Sequence, residues 1–327
     1  MSGLIRRDRT HTEAREAKQL SPLATQSAHT RGRDIAEEPD VWRTPFERDR
    51  DRILHSKAFR RLKHKTQVFM NPDGDHFVTR LTHTLQVTQI GRALARYLGL
   101  NEPLAEAICL GHDVGHSPFG HTGEDALSSY VNGEWHHAAQ SVRIYAVLEP
   151  ANLTWEVRDG IRAHSWKVDP PPATAEGDCC RFADRIAYLT HDVDDAVRAG
   201  VITLDDLPEV ATSTFGPAGP RWIESMIEAV VDESGRRGEV VMDPGSLQAM
   251  NELREFMFDR VYLRPEAAHQ RDRAITIIRT LVDHYIASPA EIPATYQQDN
   301  ADVVTRAIDY VSGMTDRFAV REWEGLK

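Results

Sequence analysis

The stretch Leu110-Gly111-His112-Asp113-Val114-Gly115-His116-Ser117-Pro118-Phe119-Gly120-His121 decides how the rest of the chain is read. It leads out of an apolar helical run and sets three imidazoles and a carboxylate within ten positions. Neighbouring side chains on one helical turn diverge, so His112 and Asp113 can share a partner only where the helix ends or bends. A divalent metal ion would reward that arrangement, because imidazole nitrogen and carboxylate oxygen together suit first-row cations. Taken alone, the pair reads more readily as a polar, His-rich helix terminus. Residues elsewhere in the chain shift that balance.

Upstream, Arg80, His83, Thr84 and Val87 follow helical spacing, and Leu81, Leu85, Val87, Ile90, Leu94 and Leu98 make the segment amphipathic. Arg80 and His83 then lie one turn apart on nearby faces. Downstream, Asp184, Tyr188 and Asp192 recur at intervals of four and project from one side of a helix. His83, His112, Asp113 and Asp184 thus make a His/His-Asp/Asp set drawn from three helices. His121 and Glu124 are three apart, so a helix there would let the carboxylate orient the imidazole for proton transfer. His116 and His137 read either as further charge beside a phosphate or as hydrogen-bonded structural histidines.

The pattern predicts an all-α chain. Helices are expected at 48–68, 76–98, 103–114, 123–131, 137–148, 155–163, 177–199, 221–234, 245–261, 266–287 and 301–318, with a turn at Asn71-Pro72-Asp73-Gly74. Strand-like alternation is confined to 238–242. Three regions are expected: a polar arm over 1–39 that orders only against a partner, a core over 40–205, and C-terminal helices over 206–327 packed on it. Three cysteines without CxxC spacing point to a reducing compartment and no disulfide framework. The longest apolar runs fall far short of the ~20 residues a transmembrane helix requires, so a cytoplasmic protein without a membrane partner is expected. Lys plus Arg 39 against Asp plus Glu 50 gives −11, which disfavours broad nucleic-acid binding. Residues 43–65 carry a local cluster of Arg and Lys. It reads either as a solvated, ion-paired helix face or as a site for triphosphate or effector.

The order His…His-Asp…Asp on an all-helical chain resembles the HD superfamily of metal-dependent phosphohydrolases. Thr44-Pro45-Phe46-Glu47-Arg48-Asp49-Arg50-Asp51-Arg52-Ile53 narrows that resemblance, and so do Ser56 to Phe69, Gly115 to Glu124 and Ala183 to Tyr188. These are similar to the deoxyguanosine triphosphate triphosphohydrolase family. The similarity is dense from about Leu20 to Gly200 and thin afterwards.

That resemblance implies an HD-domain helical bundle with additional C-terminal helices. It implies one divalent metal per site (Mn²⁺, Mg²⁺, Fe²⁺, Co²⁺ or Ni²⁺) held by His83, His112, Asp113 and Asp184. Catalytic roles fall to His121 and Glu124 as a dyad, with His116 and His137 as further active-site histidines. Arg80 matches a phosphate-binding arginine, Tyr188 and Asp192 match contacts to the deoxyribose 3′-hydroxyl, and Gln67 matches a residue near the sugar. The implied reaction is attack of water on the α-phosphorus of dGTP or other dNTPs, releasing deoxynucleoside and tripolyphosphate and so controlling dNTP pools. A homo-oligomer, a dNTP effector and single-stranded nucleic acid are implied partners. Ala138 and Arg185 depart from residues common in relatives. Two readings stand beside this one: an HD phosphohydrolase acting on another nucleotide, and a nucleotide-sensing or single-stranded nucleic-acid-binding protein.

Overall fold

Short polar side chains set most helix starts in this chain. Thr44 with Glu47 forms a capping box before Pro45, and Thr79, Asn101, Thr174, Asp243 and Asp302 each accept from a backbone N–H of the first turn. Each such cap contributes about 1 kcal/mol. The computed structural model describes residues 3–67, 77–297 and 299–327. Within them lie fifteen α-helices: α1 (Arg9–Gln19), α2 (Pro45–Leu54), α3 (Lys57–Arg61), α4 (Arg80–Tyr97), α5 (Glu102–Gly111), α6 (His121–Ser128), α7 (His137–Arg143), α8 (Trp155–Ala163), α9 (Ala175–Arg198), α10 (Glu209–Phe215), α11 (Arg221–Arg237), α12 (Pro244–Met257), α13 (Ala268–Ala287), α14 (Val303–Ser312) and α15 (Asp316–Gly325). Among the described residues no strand forms, and the one antiparallel bridge joins Thr66 to Thr79. The all-α expectation holds.

Two hydrophobic clusters organise these helices. The larger centres on α4, α5 and α9, which contribute Val87, Ile90 and Leu94, Leu104 and Ile108, and Ile186 and Leu189. Helices α2 and α8 close it with Phe46 and Ile53, and Val157 and Ile161. The second joins Ala126 and Leu127 of α6 to Ile278 and Leu281 of α13, Val311 of α14 and Ala319 of α15. Burying one such aliphatic side chain stabilises by about 1.5–3 kcal/mol. The His112–His121 stretch crosses between the two: Val114 belongs to the first cluster, while Phe119 packs against the second.

Several elements differ from the sequence reading. The first 39 residues contain α1 and are held by the chain itself: Glu16 accepts from Ser27, Glu176 from Thr25, and Glu156 from Thr30 and Arg31. Their polar character hides these long-range bonds. The helix expected over 48–68 breaks at Ser56, which caps α3, and Val68 lies outside the described residues. So do His76 and the turn expected at Asn71–Gly74. The stretch 238–242 forms no strand: Val241 closes a loop on the Ser234 hydroxyl. The helix expected over 301–318 divides at Gly313, where a Cβ would come 2.7 Å from the Tyr296 hydroxyl. Helix α12 continues into a π-turn at Phe258–Tyr262 that aims Tyr262 at α9.

Candidate metal centre and histidine cluster

Three helices of the first core deliver the His/Asp set. Arg80 and His83 stand in the opening turns of α4, and Asp184 lies in the middle of α9. Helix α5 stops at Gly111 with His112 as its C-cap, so the ending that adjacent His and Asp require is present. Gly115 permits the turn that follows: a Cβ there would lie 2.2 Å from the Ser141 backbone nitrogen.

His83, His112 and Asp184 converge on one point, and Asp113 borders it from the side of His116 and His137. His83 Nε2 is 3.1 Å and His112 Nε2 3.8 Å from Asp184 Oδ1, and His112 Nε2 is 4.0 Å from Asp113 Oδ1. The Nδ1–H of His112 donates to the Cys109 carbonyl at 2.6 Å, which leaves the Nε2 lone pair free. That nitrogen is buried and has no hydrogen-bond partner, as expected of an atom that waits for an electron-poor ligand. Burial raises the Asp113 carboxyl, but the Arg80 charge outweighs it and holds it well below the usual range. At Asp184 burial is likewise overcome, chiefly by the hydrogen bond from His83. Burial lowers His112. His83 is shifted the other way, its burial outweighed by the hydrogen bond to Asp184 and that carboxylate's charge, so a cation bound here would displace a proton from it. Imidazole nitrogens with carboxylate oxygens are a donor set that fits a first-row divalent cation.

Arg80 Nη1 donates to Asp113 Oδ2 at 2.7 Å, while its Nε and Nη2 are buried without partners. Gly120, at φ 61°, makes room beside it: a Cβ there would lie 3.0 Å from Nη2. Gln67 borders the same space, with Oε1 buried and unpartnered.

Beyond Asp113 lies a second group, on the side of α6 and α7. The rings of His116 and His137 stack at 4.5 Å between centroids, and His121 stands edge-on to His116 at 5.3 Å. Glu124 corrects one expectation. Its Oε1 accepts from His137 Nδ1 at 2.6 Å and from the His137 backbone at 3.1 Å, so the imidazole it orients is that of His137 and not His121. His121, the first residue of α6, stays in the group, its ligand atom within 4.8 Å of those of Glu124 and His116. The three-residue spacing places both on one face, but tertiary packing brings α7 closer to the carboxylate.

Sequence reasoning missed His164, just past the end of α8. Its Nδ1–H donates to the Ile161 carbonyl at 2.8 Å, so its Nε2 can only accept. That Nε2 lies 3.0 Å from His137 Nε2, which therefore donates. His137 donates from both nitrogens and is an imidazolium between Glu124 and His164. The electrostatics agree: burial opposes the charge on His137, but Glu124 outweighs it and raises the ring. Burial is also overcome at Glu124, which His137 lowers to about 2. Burial, then His112, lowers His164 to about 3. No spacing in the sequence ties His164 to the other histidines.

On α9, Asp192 accepts from the Tyr262 hydroxyl at 2.7 Å, and burial pushes its carboxyl up to about 7. Tyr188 neighbours Arg185, whose guanidinium lies 4.0 Å over the Trp166 ring and donates to Asn251. Tyr262 and Asn251 come from the region the sequence reading found weakly matched. The Arg/Lys cluster over 43–65 is mostly ion-paired: Arg43 with Asp40 and Asp51, Arg48 and Arg52 with Glu37, Arg50 with Asp51, and Arg61 with Glu149. No helix among the described residues is long and apolar enough to cross a membrane.

Two family models match the chain: an HD domain over residues 80–189 and a phosphohydrolase-associated domain over 240–325. The C-terminal third, thin in resemblance on motifs alone, is thus a recognisable part of the same family. A deoxyguanosinetriphosphate triphosphohydrolase-like protein of Caldanaerobacter subterraneus is 44% identical over 96% of this chain and 94% of its own length. Proteins of the same description from Desulfatibacillum aliphaticivorans and Clostridium perfringens are 42% and 40% identical, over 96% and 97% of both chains. With a His/Asp set able to hold a metal and likeness along nearly its whole length, the chain belongs to the deoxyguanosinetriphosphate triphosphohydrolase-like family of HD-domain phosphohydrolases.

Proposed function

We propose that this protein hydrolyses deoxynucleoside triphosphates, dGTP foremost, to deoxynucleoside and tripolyphosphate. The observation that carries the reading is the juxtaposition of the His/Asp set with two unpartnered Arg80 donors and a histidine cluster on the far side of Asp113. His83, His112, Asp113 and Asp184 would hold a divalent cation, with Mn²⁺, Fe²⁺, Co²⁺ and Ni²⁺ better suited to the mixed donors than Mg²⁺. Such a cation neutralises phosphoryl charge and acidifies water.

The chain's own groups supply the remainder. Arg80 receives phosphate oxygens through Nε and Nη2, in the planar geometry that suits a guanidinium. The His137 imidazolium, fixed by Glu124, faces the negative charge that builds on the α-phosphoryl oxygens as the 5′-oxygen of the deoxynucleoside departs. His116 stacks on it, kept neutral by burial and then Arg80. His121, open to solvent at the mouth of the cluster, exchanges a proton with the ester oxygen or with attacking water. Tyr188 and Asp192 line the α9 side where the sugar would lie, and an aromatic ring packed under the sugar disfavours a 2′-hydroxyl sterically. Ion pairs neutralise Arg43, Arg48, Arg50, Arg52 and Arg61, so any support the 43–65 cluster lends the single-stranded nucleic-acid reading rests on the exposed Lys57, Arg60 and Lys63.

The test is product analysis by ³¹P NMR with each dNTP alone and with the four mixed, under Mn²⁺ and under Mg²⁺. Tripolyphosphate with deoxynucleoside is the expected product, and a faster mixture than the sum of single substrates would add a dNTP effector. Pyrophosphate with a monophosphate, or no turnover by metal-loaded protein, would overturn the reading.

A further inference from the structure

Asp316 lies more than a hundred residues beyond any side chain assigned to the site so far except Tyr262 and Asn251, at the first turn of α15. Its two carboxylate oxygens accept from two separate backbone segments: Oδ1 from the Phe119 N–H at 3.1 Å and Oδ2 from the Thr66 N–H at 3.0 Å. Both segments border the site. Thr66 precedes Gln67. Phe119 lies inside the turn that carries His116 on one side and His121 on the other.

That turn needs holding. Phe119 sits at φ 61°, a left-handed conformation that costs energy for any residue with a Cβ, and Gly120 follows at φ 61°. Such a backbone persists only where its surroundings over-determine it. The restraints are the Asp316 bond, the packing of Phe119 on the second core, and the Ser117 hydroxyl donating to the Gly120 carbonyl at 3.1 Å. A second tie runs parallel to the first. Lys65 is buried, and its ammonium donates to the His116 carbonyl and, at 3.0 Å, to the Ser312 carbonyl at the end of α14. The Lys65 carbonyl in turn accepts from the Arg80 N–H at 3.2 Å. The turn between α14 and α15 therefore grips both walls of the site.

We propose that Asp316 is a positioning residue for the hydrolysis, holding the Phe119 turn and the Thr66–Gln67 segment at their working separation. The proposal rests on the functional reading above for its kinetic consequence, but not for its structural one. Asparagine has nearly the shape of aspartate, yet its amide nitrogen cannot accept, so Asp316→Asn loses one of the two bonds. A small misplacement of reacting groups by a residue remote from the chemistry can cost about a hundredfold in rate.

The experiment compares Asp316→Asn with Asp302→Ala, which removes the N-cap of α14 without touching either tie. Steady-state kinetics on dGTP and hydrogen–deuterium exchange of the 114–123 segment are measured on the metal-loaded full chain. Asp316→Asn is expected to lower kcat by about tenfold or more with KM within about threefold, and to speed exchange in 114–123. Asp302→Ala is expected to lower Tm and leave both readouts at wild-type values. If Asp316→Asn matches Asp302→Ala in kcat and exchange, the proposal is overturned. If the wild type turns over no dNTP, the functional reading falls, and exchange alone decides whether Asp316 holds the turn.

Discussion

The two halves of the site stand on different cores, and they are built differently. The His/Asp half hangs from α4, α5 and α9, long helices packed face to face in the first cluster. The histidine half hangs from one strained turn and the short helices α6 and α7, with α6 rooted in the second cluster. One half offers fixed lone pairs and charged carboxylates. The other carries a proton on His137 between an acid and a neutral imidazole. A site that is to bind a polyanion and move protons, as proposed, would gain from this separation, because the groups that would share a metal are not those whose protonation would change. It also means that damage to each half should look different.

The largest effect should come from Asp113→Asn, which removes a carboxylate of the proposed metal set and leaves the buried Arg80 without its counter-charge. Metal content, read by elemental analysis, and turnover should fall together; retained stoichiometric metal would erase the distinction between the halves. Glu124→Gln should instead keep the metal while kcat falls by about 10²–10³-fold, the range for losing one electrostatic stabiliser of the transition state, here the His137 imidazolium that Glu124 fixes. His121→Ala should behave alike, with substrate binding retained by calorimetry. Were its kcat near normal, the proton-transfer role of His121 would be wrong. His164→Gln, acting through His137 and the neighbouring His112 ring, is expected to cost about tenfold, or about 1.4 kcal/mol. A loss as large as that of Glu124→Gln would make His164 a full member of the machinery.

Asp192 gives the smallest effect and a pH dependence. Its carboxyl, ordinarily near 3.8, is raised to about 7 in the folded protein by burial. Between those values the folded state binds the extra proton, so stability is greatest at the acid end and declines as pH rises toward 7. Asp192→Asn should flatten that slope and be more stable than wild type at pH 8 by about 1–2 kcal/mol, below the full value of a shift this size. Thermal unfolding at pH 5 and pH 8 checks it, and an unchanged slope would contradict the assignment.

The contrast between the halves also explains what the sequence made legible. Spacing within one helix carries geometry, so Asp184, Tyr188 and Asp192 fell on a stripe, whereas the helix read over 103–114 ends at Gly111, before the His112-Asp113 pair. The same logic misjudged Glu124, because a three-residue interval fixes a face but not which neighbouring helix the carboxylate meets. His164, Tyr262 and Asp316 reach the site only through tertiary packing across 27 to 250 residues of chain, and no local pattern marks them. The charged N-terminal 39 residues misled for a similar reason, since Glu156 and Glu176, which hold them, lie far along the chain.

In the proposed reaction, water attacks the α-phosphorus within the seam between the two cores. Hydrolysis of dGTP in ¹⁸O-labelled water, followed by mass spectrometry of both products, tests it most directly. The account predicts one labelled oxygen in tripolyphosphate and none in deoxyguanosine. Label in the deoxyguanosine 5′-hydroxyl, or in inorganic phosphate or pyrophosphate released in place of tripolyphosphate, would contradict it.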